Sequence, residues 1–306
     1  MISKLVLPEI EELIDKRKFA ELKRSFDSLE IPDVAELISE LTEDKQALFF
    51  RFMPTQLATE VFEYLEPEEQ YSVIENLNKE KVAEILNEMY SDTRTELLEE
   101  VPPQIAKQLI SVLKSDERQT AIMLLGYPED SVGRLINTDY LAIPKNLSVG
   151  ETLAYIRKHG HESETINVLY VIDEKGKLID DLKLRDLIFA EPEEKIENLI
   201  DANFISLSVL DDKEHAVNIF KKYDRVALPV TDSQNVLLGI LTIDDILDVA
   251  EEEATEDIQK FGGSESLETS YASASLFEMV KKRAVWLSLL FIGEMITASA
   301  MAFFED

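Results

Sequence analysis

The chain has no cysteine and three histidines in 306 residues. That excludes disulfides and thiolate metal sites and leaves little for soft metals. Basic residues are scarce as well: 31 Lys and Arg stand against 62 Asp and Glu, a formal charge of −31. A phosphate backbone needs a basic surface, so nucleic acid is excluded as a partner. The N-terminus lacks a charged stretch followed by a long apolar run, the form of a secretory signal. There is no Gly-rich phosphate loop and no nucleophile beside a base, so nothing supports an enzyme. Oxygen is the donor in abundance, and it suits Mg²⁺, Ca²⁺ or Mn²⁺.

The acids concentrate in Thr242–Asp257, with eight in sixteen positions. At helical spacing Asp245, Asp248, Glu252 and Glu256 share one face. Two like charges about 4 Å apart cost about 1 kcal/mol in water and about 4 at an effective dielectric near 20. A divalent cation reverses the sign, so this helix reads as one held differently with and without Mg²⁺ or Ca²⁺. The alternative for any single acid is a solvated surface carboxylate.

Residues 1–128 read as an all-α helical-repeat superhelix. Ala35, Ala58, Ala83 and Ala106 recur about 24 residues apart in similar apolar settings, each followed by a second apolar helix. Pro54, Pro67 and Pro102-Pro103 fall between helices. Such arrays present a surface to a partner. From about 135 the pattern changes to two α+β units, 135–196 and 197–250. The first is read as a helix over 147–159, strands over 167–173 and 177–182, and a helix over 185–190. The second is read as a helix over 213–223, strands over 227–232 and 236–241, and a helix from 244. Asp173–Gly176 and Asp232–Asn235 are equivalent turns.

Ala284–Phe304 is about 21 residues with one charge, Glu294. That length crosses a hydrocarbon core of about 30 Å. Lys281-Lys282-Arg283 precede it, which puts everything before residue 283 on the cytoplasmic side. The alternative is a buried C-terminal helix. The span reads either as a single anchor or as the front of a polytopic protein. His159-Gly-His161 reads as a surface turn, since no Cys or acidic partner follows at ligand spacing.

The duplicated unit resembles a tandem pair of CBS domains (βαββα), most clearly in Tyr223-Asp-Arg-Val-Ala-Leu-Pro-Val230 and Leu238–Leu247. In such pairs a Thr-x-x-Asp at a strand-to-helix turn holds a nucleotide ribose. The equivalent here is Thr242 and Asp245, with Thr242 as a plain helix cap the competing reading. The first copy departs from the pattern, with Asp180 in place of the usual Gly and Lys183 in place of Ser or Thr, while Arg185 and Asp186 remain available.

The whole order resembles the MgtE family of magnesium transporters: a helical array over 1–128, a CBS pair, an acidic connecting helix over 244–272 and a first transmembrane helix over 281–306. Gly126–Arg134, Thr242–Asp248, Glu253–Asp257 and Arg283-Ala-Val-Trp-Leu287 carry the likeness. The resemblance implies an α+β multidomain fold and a cytosolic Mg²⁺-sensing region that gates a pore. It implies a homodimer through the CBS domains, the rest of the membrane pore and membrane lipid as partners, and a place at the inner membrane. It implies Mg²⁺ ligands at Asp92, Glu96, Glu214, Asp224, Asp245, Asp248, Glu253 and Glu256. ATP or AMP would lie against Arg185, Asp186, Thr242 and Asp245. The alternatives are an adenine-nucleotide-sensing CBS regulator without metal sensing and a docking scaffold.

Overall fold

The structure, a computed structural model, describes residues 3–26, 29–261, 288 and 291–297. The N-terminal region is helical: α1 (Ser3–Asp15), α2 (Phe19–Phe26), α3 (Ile31–Ser39), α4 (Glu43–Phe52), α5 (Thr55–Glu63), α6 (Pro67–Asn76), α7 (Lys79–Glu88), α8 (Ser91–Glu100), α9 (Pro103–Val112) and α10 (Ser115–Leu124). From α3 onward the odd helices pack on one another in sequence, and the even helices form a second row. The prolines open helices: Pro54 and Pro102 are N-caps, and Pro67 and Pro103 stand in first turns, where a missing N–H costs nothing. Ala35 and Ala58 are buried between odd helices, where a small side chain allows close approach.

One device repeats through the array. Gln46, Gln70, Arg94 and Arg118, each 24 residues from the last, reach back eight residues to a carbonyl near the end of the preceding helix. The bonds are Gln46 Nε2 to Ile38 O at 3.1 Å, Gln70 Nε2 to Phe62 O at 3.0 Å, Arg94 Nη1 to Leu86 O at 2.9 Å and Arg118 Nε to Ile110 O at 3.0 Å. Helix ends leave carbonyls without partners, and these side chains supply donors. Arg94 is almost wholly buried, also bonds Met89 O and forms an ion pair with Glu117 of α10.

Two α+β units follow. The first contains β1 (Ala142–Pro144), α11 (Val149–His159), β2 (Val168–Ile172), β3 (Leu178–Lys183) and α12 (Leu184–Phe189). The second contains β4 (Leu207–Ser208), α13 (Lys213–Tyr223), β5 (Ala227–Thr231), β6 (Leu237–Thr242) and α14 (Ile243–Phe261). In each sheet the short first strand runs parallel to the second, and the second pairs antiparallel with the third. The hairpin turns are equivalent. Asp173 and Asp232 each accept two backbone N–H groups, and Gly176 (φ 76°) and Asn235 (φ 64°) both take the left-handed conformation that closes the turn. The turns also join the sheets: Leu178 N–H donates to Asn235 O and Leu237 N–H to Gly176 O, both at 3.0 Å. Val168, Tyr170, Leu178, Leu237 and Ile240 fill the space between them.

The segment between the helical array and the first unit belongs to the second unit. Val132 and Ile136 are buried in its core beside Leu207, Phe220 and Leu228, with Leu124 of α10. Asn137 exchanges both backbone hydrogen bonds with Ile240 of β6 at 2.9 Å. Gly239 is required there, because a Cβ would strike Ile136 and the Asn137 carbonyl. The α+β reading therefore holds for the described residues, and the short strands β1 and β4, which the residue pattern alone did not give, complete the βαββα order that the CBS resemblance implies.

The expected membrane helix over 281–306 and the expected stretch 262–272 of the acidic helix lie largely outside the described residues, with only residue 288 and residues 291–297 of the former described, as helix. Among the described residues, no helix is long and apolar enough to cross a membrane.

Candidate functional site

Three parts of the chain converge where α8 meets the α+β units. Ser91, buried at the start of α8, donates to Ile136 O (3.2 Å) and accepts from Thr138 N–H (2.8 Å) and the Thr138 hydroxyl (3.1 Å). Arg134 pairs with Glu99 of the same helix. These contacts fix α8 against a segment that is itself held in the second sheet.

Around this joint lie carboxylates from all three parts. Asp92 follows Ser91 on α8, Glu164 lies in the loop before β2, and Asp244 and Asp245 open α14. Burial is the largest influence on Asp92, and together with the Glu164 charge it pushes that carboxyl up to about 7. Glu164 also rises to about 7, through burial and then the charges of Asp244, Asp245 and Asp139. Asp245 is raised well above the usual carboxylate range by burial and by Asp92. Glu63, at the end of α5, reaches about 7 through burial, although it accepts Tyr90 N–H at 3.0 Å. Each shift says that the ionised form is short of a positive partner. Among the described residues, Arg94 lowers Glu63 and Asp139 only as a secondary influence, and Lys213 does the same for Glu96 of α8.

A second contact extends along the acidic helix. Glu96, one turn after Asp92, is raised by burial and then by Asp248 and Glu252 of α14. Asp248 is raised by burial, Asp244 and Glu251. Asp92, Glu96, Asp245 and Asp248, four of the expected ligands, are thus brought to one interface. Glu253 is half-buried on α14, and the side chain of Glu256 lies outside the described residues. Among the described residues, no hydrogen bond or ion pair ties Glu214 or Asp224 to Asp92, Glu96, Asp245 or Asp248, although Lys213, next to Glu214, is among the charges that act on Glu96. Glu214 and Asp224 sit at opposite ends of α13, roughly 15 Å apart along a helix of that length. Asp224, in the left-handed conformation, borders a groove of about 370 Å³ between α13 and α14.

The candidate nucleotide residues differ between the units. Thr242 Oγ1 donates to Asp245 Oδ2 at 2.7 Å and also bonds Asp244, so hydroxyl and carboxylate at the start of α14 engage each other. Lys183 caps α12 with no side-chain hydrogen bond, so Arg185 and Asp186 in its first turn have no such engagement with their cap. Between the sheets, Tyr170 OH and Asp181 Oδ2 are buried without a hydrogen-bond partner, and Arg225 Nη1 lies 3.6 Å from Asp181.

Sequence reasoning missed Glu164, Asp244, Asp139, Glu63 and Asn137. Nothing in the linear pattern marks Glu164, which joins the site because the 160–164 turn folds back onto Asn137. All donors here are oxygens, which fits a hard divalent cation. Among the described residues no group of three or more acids is close enough, as placed, to form a ready-made cage. Mg²⁺ needs few carboxylates and keeps several waters.

Comparison with known proteins places this arrangement. Residues 29–130 match the MgtE intracellular N domain, and residues 132–193 and 196–252 each match the CBS domain. The magnesium transporter MgtE of Bacillus subtilis is 34% identical over 96% of this chain and 65% of its own length. The chain belongs to the MgtE family. The MgtE of Thermus thermophilus is 37% identical over 60% of this chain and 41% of its own length. This chain therefore spans less than two thirds of either relative. Two solved structures share the fold. The soluble part of a magnesium transporter has a TM-score of 0.79 at 26% identity, covering 82% of this chain and 99% of that one. The cytosolic domain of the Mg²⁺ channel MgtE in complex with ATP has a TM-score of 0.73 at 30% identity, covering 79% and 99%. The Bacillus subtilis and Thermus thermophilus relatives both bear the name of a magnesium transporter, not of an enzyme.

Proposed function

We propose that this chain supplies the cytosolic Mg²⁺-sensing and gating region of a membrane magnesium transporter. The observation that carries the proposal is the meeting of Asp92, Glu164 and Asp245, from three parts of the chain, each carboxyl raised by burial and then by one of the others: Asp92 by Glu164, Glu164 by Asp245 and Asp245 by Asp92. A junction of this kind resists closure while its acids are ionised and unpaired. A hydrated divalent cation relieves the repulsion and draws the helical array onto α14. Glu96, Asp248 and Glu253 extend the same contact along the acidic helix, with Glu256 further along and Glu214 and Asp224 on the flanking helix. Closure then depends on cytosolic Mg²⁺, and α14 carries the state of the junction toward the pore at the inner membrane.

The test is the melting temperature against Mg²⁺ concentration for wild type and for Asp92→Asn/Asp245→Asn. A cation that binds only the closed assembly stabilises it by mass action. Wild type should gain stability with Mg²⁺, and the double variant should lose most of that gain. An undiminished gain in the variant would sink the proposal.

Adenine nucleotide binding is a second reading, favoured by two buried polar atoms between the sheets that lack a hydrogen-bond partner, Tyr170 OH and Asp181 Oδ2, the latter in an ion pair with Arg225. The first unit, with Arg185 and Asp186, is the better host, because Thr242 and Asp245 are engaged with each other. Calorimetry with ATP and AMP on wild type and Arg185→Ala checks this. Equal binding by both proteins would remove Arg185 from the site.

A further inference from the structure

Asn137 is completely buried where the three parts meet. Its backbone N–H and C=O are both bonded to Ile240, so its position is fixed by the second sheet. Its side-chain oxygen accepts Asp139 N–H at 2.8 Å, which sets the orientation of the amide. The amide nitrogen therefore faces the acids. It donates to Glu164 Oε2 at 3.1 Å. Asp92 is held beside it, because Ile136 and Thr138, on either side of Asn137, both bond Ser91, and the amide favours the ionised form of the Asp92 carboxyl. One neutral group thus joins an acid of the helical array to an acid of the first unit, while anchored to the second.

We infer that Asn137 is a positioning residue that holds Asp92 and Glu164 together as a preassembled pair when no divalent cation is bound. The inference rests on the reading that these two acids border the cation site. The residue type matters. An amide offers two donors and no charge, so it can lie between two carboxylates at any cation concentration. A leucine of similar size would leave both acids without this donor, and an aspartate would add a further negative charge. Because Glu164 gives Oε2 to the amide, Oε1 is left for an ion, which favours one-oxygen coordination with the remaining positions held by water.

Hydrogen exchange followed by mass spectrometry tests this on the chain in EDTA and in millimolar Mg²⁺. Asn137→Asp keeps size and the bond from Asp139 but loses both donors. In EDTA its exchange at the start of α8 and over residues 160–166 should rise by about tenfold or more, the scale of losing hydrogen bonds to charged groups. Mg²⁺ should restore protection, which it would not do for a residue that merely fills space. The exchanged pair, Asp92→Asn with Asn137→Asp, puts a donor back opposite an acceptor and should recover protection in EDTA, including in the event that Asn137→Asp alone fails to fold. Exchange in EDTA unchanged by Asn137→Asp, no recovery in Mg²⁺, or a double variant no better protected than the single one would each overturn the inference. Asp92→Asn alone reports on the cation site separately. A full Mg²⁺ response in that variant removes the site reading, whatever the exchanged pair does.

Discussion

The acids at the junction set a pH dependence that runs opposite to that of most carboxylates. Asp92 and Glu164 titrate near 7 in the folded protein, against ordinary values of 3.8 and 4.5. The folded state therefore holds protons that the unfolded state has released between about pH 4 and pH 7, and stability falls as pH rises through that window. Without divalent cations, the melting temperature of wild type should drop from pH 5 to pH 8 more steeply than that of Asp92→Asn. With Mg²⁺ at pH 8 the two slopes should approach each other. Parallel slopes in EDTA would show that Asp92 is not held near neutrality. At this scale the sequence was half legible. The acidic run and the family likeness pointed to Asp92, Glu96, Asp245 and Asp248, which do share an interface. Glu164 and Asn137 could not be found that way, because their importance comes from a loop and an edge segment meeting across domains.

At the scale of elements, the period of the helical array was legible from its alanines, whereas the donors that reach back eight residues were not, since Gln and Arg read as surface residues. Their difference yields a prediction. Arg94→Gln should retain the Leu86 bond, as Gln46 and Gln70 do at their own positions, and lose the pair with Glu117. Arg94→Ala removes everything and leaves buried carbonyls unmatched. Thermal unfolding should show Arg94→Ala the more destabilised of the two, with unmatched groups costing about 1–3 kcal/mol each. The main strands of the α+β units were legible from alternation and turn residues. The two short ones, β1 and β4, were not, being three and two residues long. Gly239 shows how tightly the edge segment fits. Gly239→Ala would drive a methyl group into Ile136 and the Asn137 backbone, and overpacking of this kind costs about 1–3 kcal/mol. Its melting temperature should fall, and the exchange of residues 132–138 should rise with it.

Over the whole molecule the charge of −31 makes ionic strength itself stabilising, so a Mg²⁺ effect has to be separated from screening. K⁺ at matched ionic strength should raise the melting temperature less than Mg²⁺ does, and Asp92→Asn/Asp245→Asn should bring the two salts together. Association is a second property at this scale. Phe189 of α12 is 79% exposed and Leu247 of α14 is 62% exposed, apolar surface that a homodimer through the CBS units would cover. Sedimentation should show dimers for wild type and monomers for Phe189→Glu/Leu247→Glu. A wild-type monomer at tens of micromolar would count against the dimer. The path of the chain adds a consequence in time. The edge segment at Asn137 is completed by Ile240, 103 residues later (240 − 137). At about 5–20 residues per second of synthesis, the finished helical array waits roughly 5–20 s on the ribosome with that edge bare. The first α+β unit is made wholly within this interval, so the nascent chain passes through a stage with one unit folded and an open strand edge beside it. During that stage the protein is most exposed to mispairing, and a chaperone that covers strand edges would act on it then.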